Sequence, residues 1–425
     1  MVKPGNFFRP SRLGLIRRAA VAAVALTSIS SAVAIAEPTP PAPGLREVLL
    51  VGNNWEGTAD VIGSTAPYEK VGRISVIPDK EARMAEIFSN PVSAALFLGI
   101  RHTVGEGNDQ LIDDLYTTRD GESIIASRPS FADVVSVDIE SGDINWRFPV
   151  SGFRADHMAI SRDGATVAVS ASTSNTVHVV DTATGVERGQ FATGDKPHEN
   201  YYTSDGKYIW NMAIGEVNTP LDAPALDFTK GDRYITVADT TNFERVRTID
   251  MRERLDAFGR NDLSDSVRPV AFTPDESKLY FQVSFFNGFV EYDIAQDRIT
   301  QIKELPKNPE TSPRRSDWIN DSRHHGLSMS PDGSKLCVAG TMDDYATIVD
   351  RETLTEGPLV PASKPYWATV NGTGTDCVIS ESASDSVSAI SFESGERVAS
   401  IPVGDHPQRI RLGAVPTTWS GTNNN

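Results

Sequence analysis

Several of the compact signatures that would identify an enzyme are missing from these 425 residues. No Cys-x-x-Cys-His run is present to attach a c-type haem, and no Gly-rich loop is spaced to cradle phosphate. The Gly-x-Ser-x-Gly elbow of serine hydrolases is also absent. Basic residues are scarce, 40 Lys and Arg against 57 Asp and Glu, for a formal charge of −17. That surplus of acid repels nucleic acid and anionic lipid, so neither is an expected partner.

Long apolar runs are limited to one, "AAVAAVALTSISSAVAIA" at 19–36. Arg9, Arg12, Arg17 and Arg18 precede it and Ala34-Ile35-Ala36 closes it, the pattern of a secretory leader (1–36) cleaved before Glu37. The competing reading, an N-terminal anchor, suits less well a short run rich in Ala, Ser and Thr. Cleavage removes Lys3 and the four arginines and takes the charge from −17 to −22. "EPTPPAPG" (37–44) then reads as a Pro-rich linker. The expected product is a soluble, monomeric protein without membrane insertion, secreted or held in the periplasm or cell envelope.

What is present is repetition. Turns at Asp120-Gly121, Asp163-Gly164, Asp205-Gly206, Asp275-Glu276, Asp332-Gly333 and Thr373-Gly374 recur at roughly 40 residues, with two longer intervals. After each turn comes a β-rich run ("ATVAVSAS", "SKLYFQVS", "SKLCVAGT"), a second ending in an acidic turn ("NTVHVVDTATG", "YATIVDRET") and a third ("ERGQFATGD", "RVASIPVGD"). With the apolar strand before the turn, each unit has four strands, one propeller blade. Six units are complete. "REVLLVGN", "GRISVIPD" and "RMAEIFS" supply three more strands, and "HPQRIRLGA" (406–414) an innermost one, so the chain ends share a seventh blade. The expected fold is all-β, a seven-bladed β-propeller of four-stranded antiparallel blades over 45–414, with 415–425 as a disordered tail.

The Asp-Gly turns behind apolar strands, followed by V-x-V-x-D-x-x-T/S-G, resemble the YVTN-type seven-bladed propeller family of lactonase-like and surface-layer-like exported proteins. The resemblance implies a fold more than a function, because propellers host enzymes, binders and scaffolds alike.

Seven and six residues ahead of each turn, at the start of the innermost strand, the blades carry Asp113-Asp114, Asp156-His157, His198-Glu199, Arg268-Pro269, His325-Gly326, Tyr366-Trp367 and Gln408-Arg409. The chain has 7 histidines, and His157, His198, His324, His325 and His406 all fall in this annulus. Neutral imidazoles with nearby carboxylates suit a divalent transition metal (Mn, Fe, Cu or Zn). Such a metal polarises a carbonyl or acidifies water. Asp156 and Glu199 are the expected proton acceptors, with Arg268 and Tyr366, beside Trp367 and Arg409, facing a small anionic substrate. The other reading of the same ring is solvated channel lining, with the arginines neutralising the channel's own acids. A one-residue shift would exchange His324 and His325 at the channel.

Two function classes follow: a metal-dependent hydrolase, lactonase-like by resemblance, or a lyase; and a non-catalytic envelope propeller that binds a small-molecule ligand or a protein partner. Cys337 and Cys377 occupy equivalent points of adjacent blades, so one points away from the other across sheets packed about 10 Å apart, and they are expected to be free thiols. Three insertions, 89–112, 212–232 and 306–323, interrupt the repeat; the third leads into His324-His325 and is placed to cover the ring.

Overall fold

Every strand among the described residues belongs to one of seven four-stranded antiparallel sheets, as the repeat predicts. The computed structural model describes residues 42–217 and 224–421; the expected leader, the start of the linker, part of the second insertion and 422–425 lie outside them. With the closing blade as blade 1, the innermost strands are Pro407–Pro416, Leu115–Thr117, Ala155–Ile160, Pro197–Tyr202, Val267–Phe272, Leu327–Met329 and Pro365–Val370.

The strand sequences explain this layered arrangement. Second strands such as Thr166–Ala171 (TVAVSA) are almost wholly buried, because each sheet is sandwiched between two others. Outermost strands such as Ile144–Pro149 alternate partly buried and exposed positions. Apolar side chains therefore gather in one cluster per blade interface instead of one central core. Ile125, Val134, Met158 and Val169 fill the space between blades 2 and 3, and Ala346, Ile348, Ile379 and Ile390 that between blades 6 and 7. Full burial of each Val or Ile contributes about 1.5–3 kcal/mol. Five of the turns that join first and second strands place Gly in the left-handed region, as at Gly121 (φ 71°). Blade 5 has Glu276 there instead (φ 52°), and its carboxylate accepts hydrogen bonds from Tyr201 Oη (2.8 Å) and Ser204 N (2.6 Å) of blade 4.

Blade 1 closes the ring by pairing Leu45–Asn53 with Pro407–Pro416, in register from Leu45↔Pro416 to Asn53↔Pro407. Its other strands correct the sequence reading. Thr58–Gly63, missed there, is the third strand, and Lys70–Ser75 is the outermost. "RMAEIFS" lies instead in helix α1 (Lys80–Ser89), with Met84 and Ile87 three residues apart on its inner face. Helix α2 (Pro91–Thr103) follows and buries Phe97 and Ile100. A third helix, α3 (Met251–Ala257), was not anticipated; it leads from blade 4 to blade 5. The expected tail is also corrected, since residues to Pro416 continue the closing strand. Trp419 is buried against blades 1 and 2, its Nε1 donating to Ile139 O at 3.0 Å.

The cysteines are the other correction. Cys337 and Cys377 form a disulfide between blades 6 and 7, with Cα atoms 6.3 Å apart. They are not equivalent: Cys337 pairs with Ser328, four residues before its turn, and Cys377 with Val370, three before. A single residue of offset puts them on opposite faces of their strands, so they face each other across the interface.

Candidate metal centre in the propeller channel

The channel-lining pairs owe their positions to one repeated irregularity. In blade 3, Ala155 pairs with Ala171 and Met158 with Val169, so Asp156 and His157 together oppose Ser170 alone. His198-Glu199 share Met212 in the same way, Arg268-Pro269 share Gln282, Tyr366-Trp367 share Ser380 and Gln408-Arg409 share Gly52. In blade 2, Asp113 N donates to Ser127 O while Ser127 N donates to Asp114 O. In blade 6, His325 N and Gly326 O pair with Ala339. Each inner strand thus carries a β-bulge where it enters the channel, an extra residue that re-aims the side chains.

Three of the five predicted histidines meet. The ring centroids of His157 and His198 are 3.7 Å apart, and His325 stands 5.6 Å from His198 and 6.4 Å from His157. Ligand atoms of Asp156, His157 and His198 all lie within 4.8 Å of one another. His157 Nε2 is 3.6 Å from Asp113 Oδ2 and 3.7 Å from Asp156 Oδ1. Its Nδ1 is 2.6 Å from Glu199 Oε2 and 3.0 Å from Arg409 Nη2. A neutral ring makes only one of those bonds. The carboxylate is the shorter contact and accepts the Nδ1 proton, which turns the Nε2 lone pair toward the aspartates. His325 donates Nδ1 to Tyr366 O at 3.2 Å. His198 Nδ1, His325 Nε2 and Asp113 Oδ2 are buried without a hydrogen-bond partner among the described residues.

The other two histidines point elsewhere, and the expectation that they join the ring is corrected. His324 Nε2 bonds Asp343 Oδ2 at 2.9 Å and its ring packs edge-on to Tyr345, inside blade 6. His406, in a left-handed conformation (φ 56°), stacks on Trp55 at 3.6 Å with Glu106 beside it.

The cluster is also more enclosed than a rim would be: His325 is fully buried and His157 is 1% exposed. Two insertions meet over it. Asn320 Nδ2 donates to Val104 O at 3.4 Å, Arg268 reaches Asn320 O, and Arg154 spans from Asp156 to Gln110. Lys230 of the second insertion pairs with Asp321 of the third at 2.5 Å. The wide part of the channel lies at the far ends of the inner strands, a cavity of about 480 Å³. Glu199, Trp367 and Arg411 line both that cavity and the cluster. The "NYY" stretch contributes inter-blade packing, Tyr201 stacking on Phe272 at 4.0 Å, while its other faces also line the cavity.

Burial, reinforced by the charge of Arg409 and, at His198 and His325, by that of Arg268, holds His157, His198 and His325 well below the ordinary imidazole value, so all three are neutral. Burial also lifts Asp113 and Glu199 to about 7 against the pull of Arg409 and Arg411. Four arginines balance the acids. Arg411 forks onto Asp114 (2.9 and 2.7 Å), and Arg154 bonds Asp156. Arg268 bonds Ser284 Oγ, and Arg409 lies 4.2 Å from the Trp367 ring. The predicted Tyr366 is buried here too, its ring 4.4 Å from that of His325. The sequence reading singled out neither Arg411 nor Arg154, nor the partners that divert the other two histidines, Asp343 for His324 and Trp55 for His406. Both arginines lie two residues from a bulge, Arg154 before Asp156 and Arg411 after Arg409, a spacing that would have found them.

Neutral imidazoles with free lone pairs, carboxylates and a His–Glu bond that fixes one ring form a donor set that fits a divalent transition metal. No protein-family model matches this chain, and no curated protein matches it. Among solved structures, hydrazine synthase from Kuenenia stuttgartiensis is similar with a TM-score of 0.54 and 17% identity, covering 73% of this chain and 96% of that one. At that identity the likeness is one of fold.

Proposed function

We propose that this chain is an exported YVTN-type propeller that holds one divalent transition metal (Mn, Fe, Cu or Zn) on His157, His198 and Asp156, with His325 and Asp113 completing the donor set. The single observation behind it is the Glu199–His157 hydrogen bond, which points Nε2 at two aspartates in the same space that His198 borders. A metal there supplies a Lewis acid for a carbonyl or a water. The chain's own groups do the rest: the cavity of about 480 Å³ admits a small molecule, Trp367 and Arg411 bound its inner end, and the two insertions keep bulk water off the opposite side. Glu199, lifted to about 7 by burial and not itself in the donor set, is poised to take up or release a proton at neutral pH. A hydrolase or lyase acting on a small anionic substrate is the reading these parts support best.

The nearly complete burial of the three rings favours a second reading, a non-catalytic propeller whose metal or ligand serves binding in the envelope.

The test is metal analysis of the purified mature protein beside His157→Ala and His198→Ala variants. Stoichiometric metal in the parent, lost in variants that keep their β-sheet circular dichroism, supports the site. A protein that stays metal-free after dialysis against each of the four ions overturns it. Turnover in a panel of lactones and uronates, abolished by chelation, separates the catalytic reading from the binding one.

A further inference from the structure

Among the described residues, Arg409 is the one charged side chain with two buried nitrogens that lack a hydrogen-bond partner. It is 1% exposed, and its Nε and Nη1 are buried with no hydrogen-bond partner among the described residues. The third nitrogen meets only His157 Nδ1, already committed to Glu199, and stands 3.8 Å from Asp113. Leaving guanidinium donors unmade in an interior costs several times what a made hydrogen bond contributes. The stem is not free to swing away, since the guanidinium carbon lies 4.2 Å from the Trp367 ring and 5.8 Å from that of Tyr366. Arg268 is a second buried charge, its Nε and Nη2 hydrogen-bonded only to neutral oxygens. It is also 1% exposed, has only Ser284 Oγ and Asn320 O as acceptors, and has no carboxylate within ion-pair distance among the described residues. Arg409 faces Tyr366, whose ring is 4.4 Å from that of His325, and both guanidinium charges act on His198, His325 and Tyr366.

Charge counting leads to the same place. Arg154, Arg268, Arg409 and Arg411 are matched by Asp113, Asp114, Asp156 and Glu199 when all are ionised. Adding a divalent ion leaves two positive charges in a dry pocket, a state that calls for an anion. A planar carboxylate fits a guanidinium fork through two parallel N–H bonds, made by Nη2 together with either Nε or Nη1, so each unpartnered nitrogen of Arg409 belongs to one such edge.

We propose that Arg409, with Arg268 as the second charge, is the anchor for the carboxylate of a small organic acid, which sits between Tyr366 and the histidine cluster. The substrate class is then a carboxylic acid whose reacting bond lies one or two bonds from the carboxylate. This rests on the metal reading for its chemistry, whereas the anchor itself needs only the arginines.

Calorimetric titration of the full mature protein, metal-loaded and metal-free, with succinate, its neutral diamide succinamide, and inorganic phosphate tests it. Saturable succinate binding, no succinamide binding, and affinity about tenfold or more weaker in Arg409→Gln with metal content unchanged are the expected results. The comparison of succinate with succinamide on the unaltered protein stands even if that variant fails to fold. Equal binding of both compounds, phosphate binding without succinate binding, or unchanged succinate affinity in a folded Arg409→Gln protein overturns the proposal. If the metal reading fails and the anchor holds, succinate still binds the metal-free protein; if the reverse, the metal stays and succinate does not bind.

Discussion

His157 and His324 illustrate how the same residue type reaches different fates. His157 is held by Glu199 and offers a lone pair to the channel; His324 spends its Nε2 on Asp343 within a blade. Substituting Glu199→Gln exchanges a carboxylate acceptor for a weaker one, and metal affinity should fall about 10–100-fold while stoichiometry at saturating metal is kept. Competitive titration against a metallochromic chelator reads this. His324→Ala should leave metal content unchanged and cost about 1–3 kcal/mol of stability, because Asp343 loses a buried donor; urea denaturation measures it. The histidine annulus was legible in the sequence, since five of the residues shared a phase of the repeat. Which three would converge was not. His324 and His325 differ by one position at a bulge, and His406 turns away through a left-handed backbone, neither of which leaves a mark in residue spacing.

At the level of elements, α1 shows where periodicity was too short to read. "RMAEIFS" offers only two apolar positions on the buried face, and what fixes the helix is tertiary. Fully buried Arg128 reaches Asp79 at the helix start (2.5 Å) and Asp133 (2.7 Å) in blade 2. Arg128→Met should therefore destabilise the protein at the lower end of about 3–5 kcal/mol, since Arg83 remains 3.3 Å from Asp133. Loss of α1 protection in hydrogen exchange should accompany it, with the far blades unaffected. The innermost, second and third strands of blades 2 to 7 were evident because turns punctuate them. The bulges were not, because adding one residue to a strand changes neither its composition nor its turn.

Across the whole molecule, two clasps keep the ring shut. In blade 1, Asp60 accepts from Gly404 N (2.8 Å), Asn53 (3.0 Å) and the Arg73 fork (3.0 and 2.8 Å), tying the closing strand's approach to the N-terminal strands. Burial alone would raise its pKa, but Arg73, Lys70 and Asn53 hold it below the ordinary value. A depressed carboxyl stabilises the fold above its unfolded pKa, near 4, and that contribution is lost as pH falls through the folded value. Asp60→Asn should weaken the neutral-pH protein and flatten its acid unfolding curve, followed by fluorescence. The disulfide joins blades 6 and 7 across 40 residues of chain. Its reduction should cost about 2–4 kcal/mol, seen as a lower midpoint in guanidinium with dithiothreitol. Ring closure by both chain ends was readable in the sequence because the terminal strands lacked partners of their own. The disulfide was misread because a one-residue offset between blades decides which face a side chain takes. The seven bulges carry a wider implication. Each blade writes a two-letter word into the channel while its neighbours in the sheet register a single position, so the vocabulary of the lining can be rewritten without editing the packing. A scaffold of this kind separates the inheritance of shape from that of chemistry, and its blades could be exchanged like type in a printer's frame.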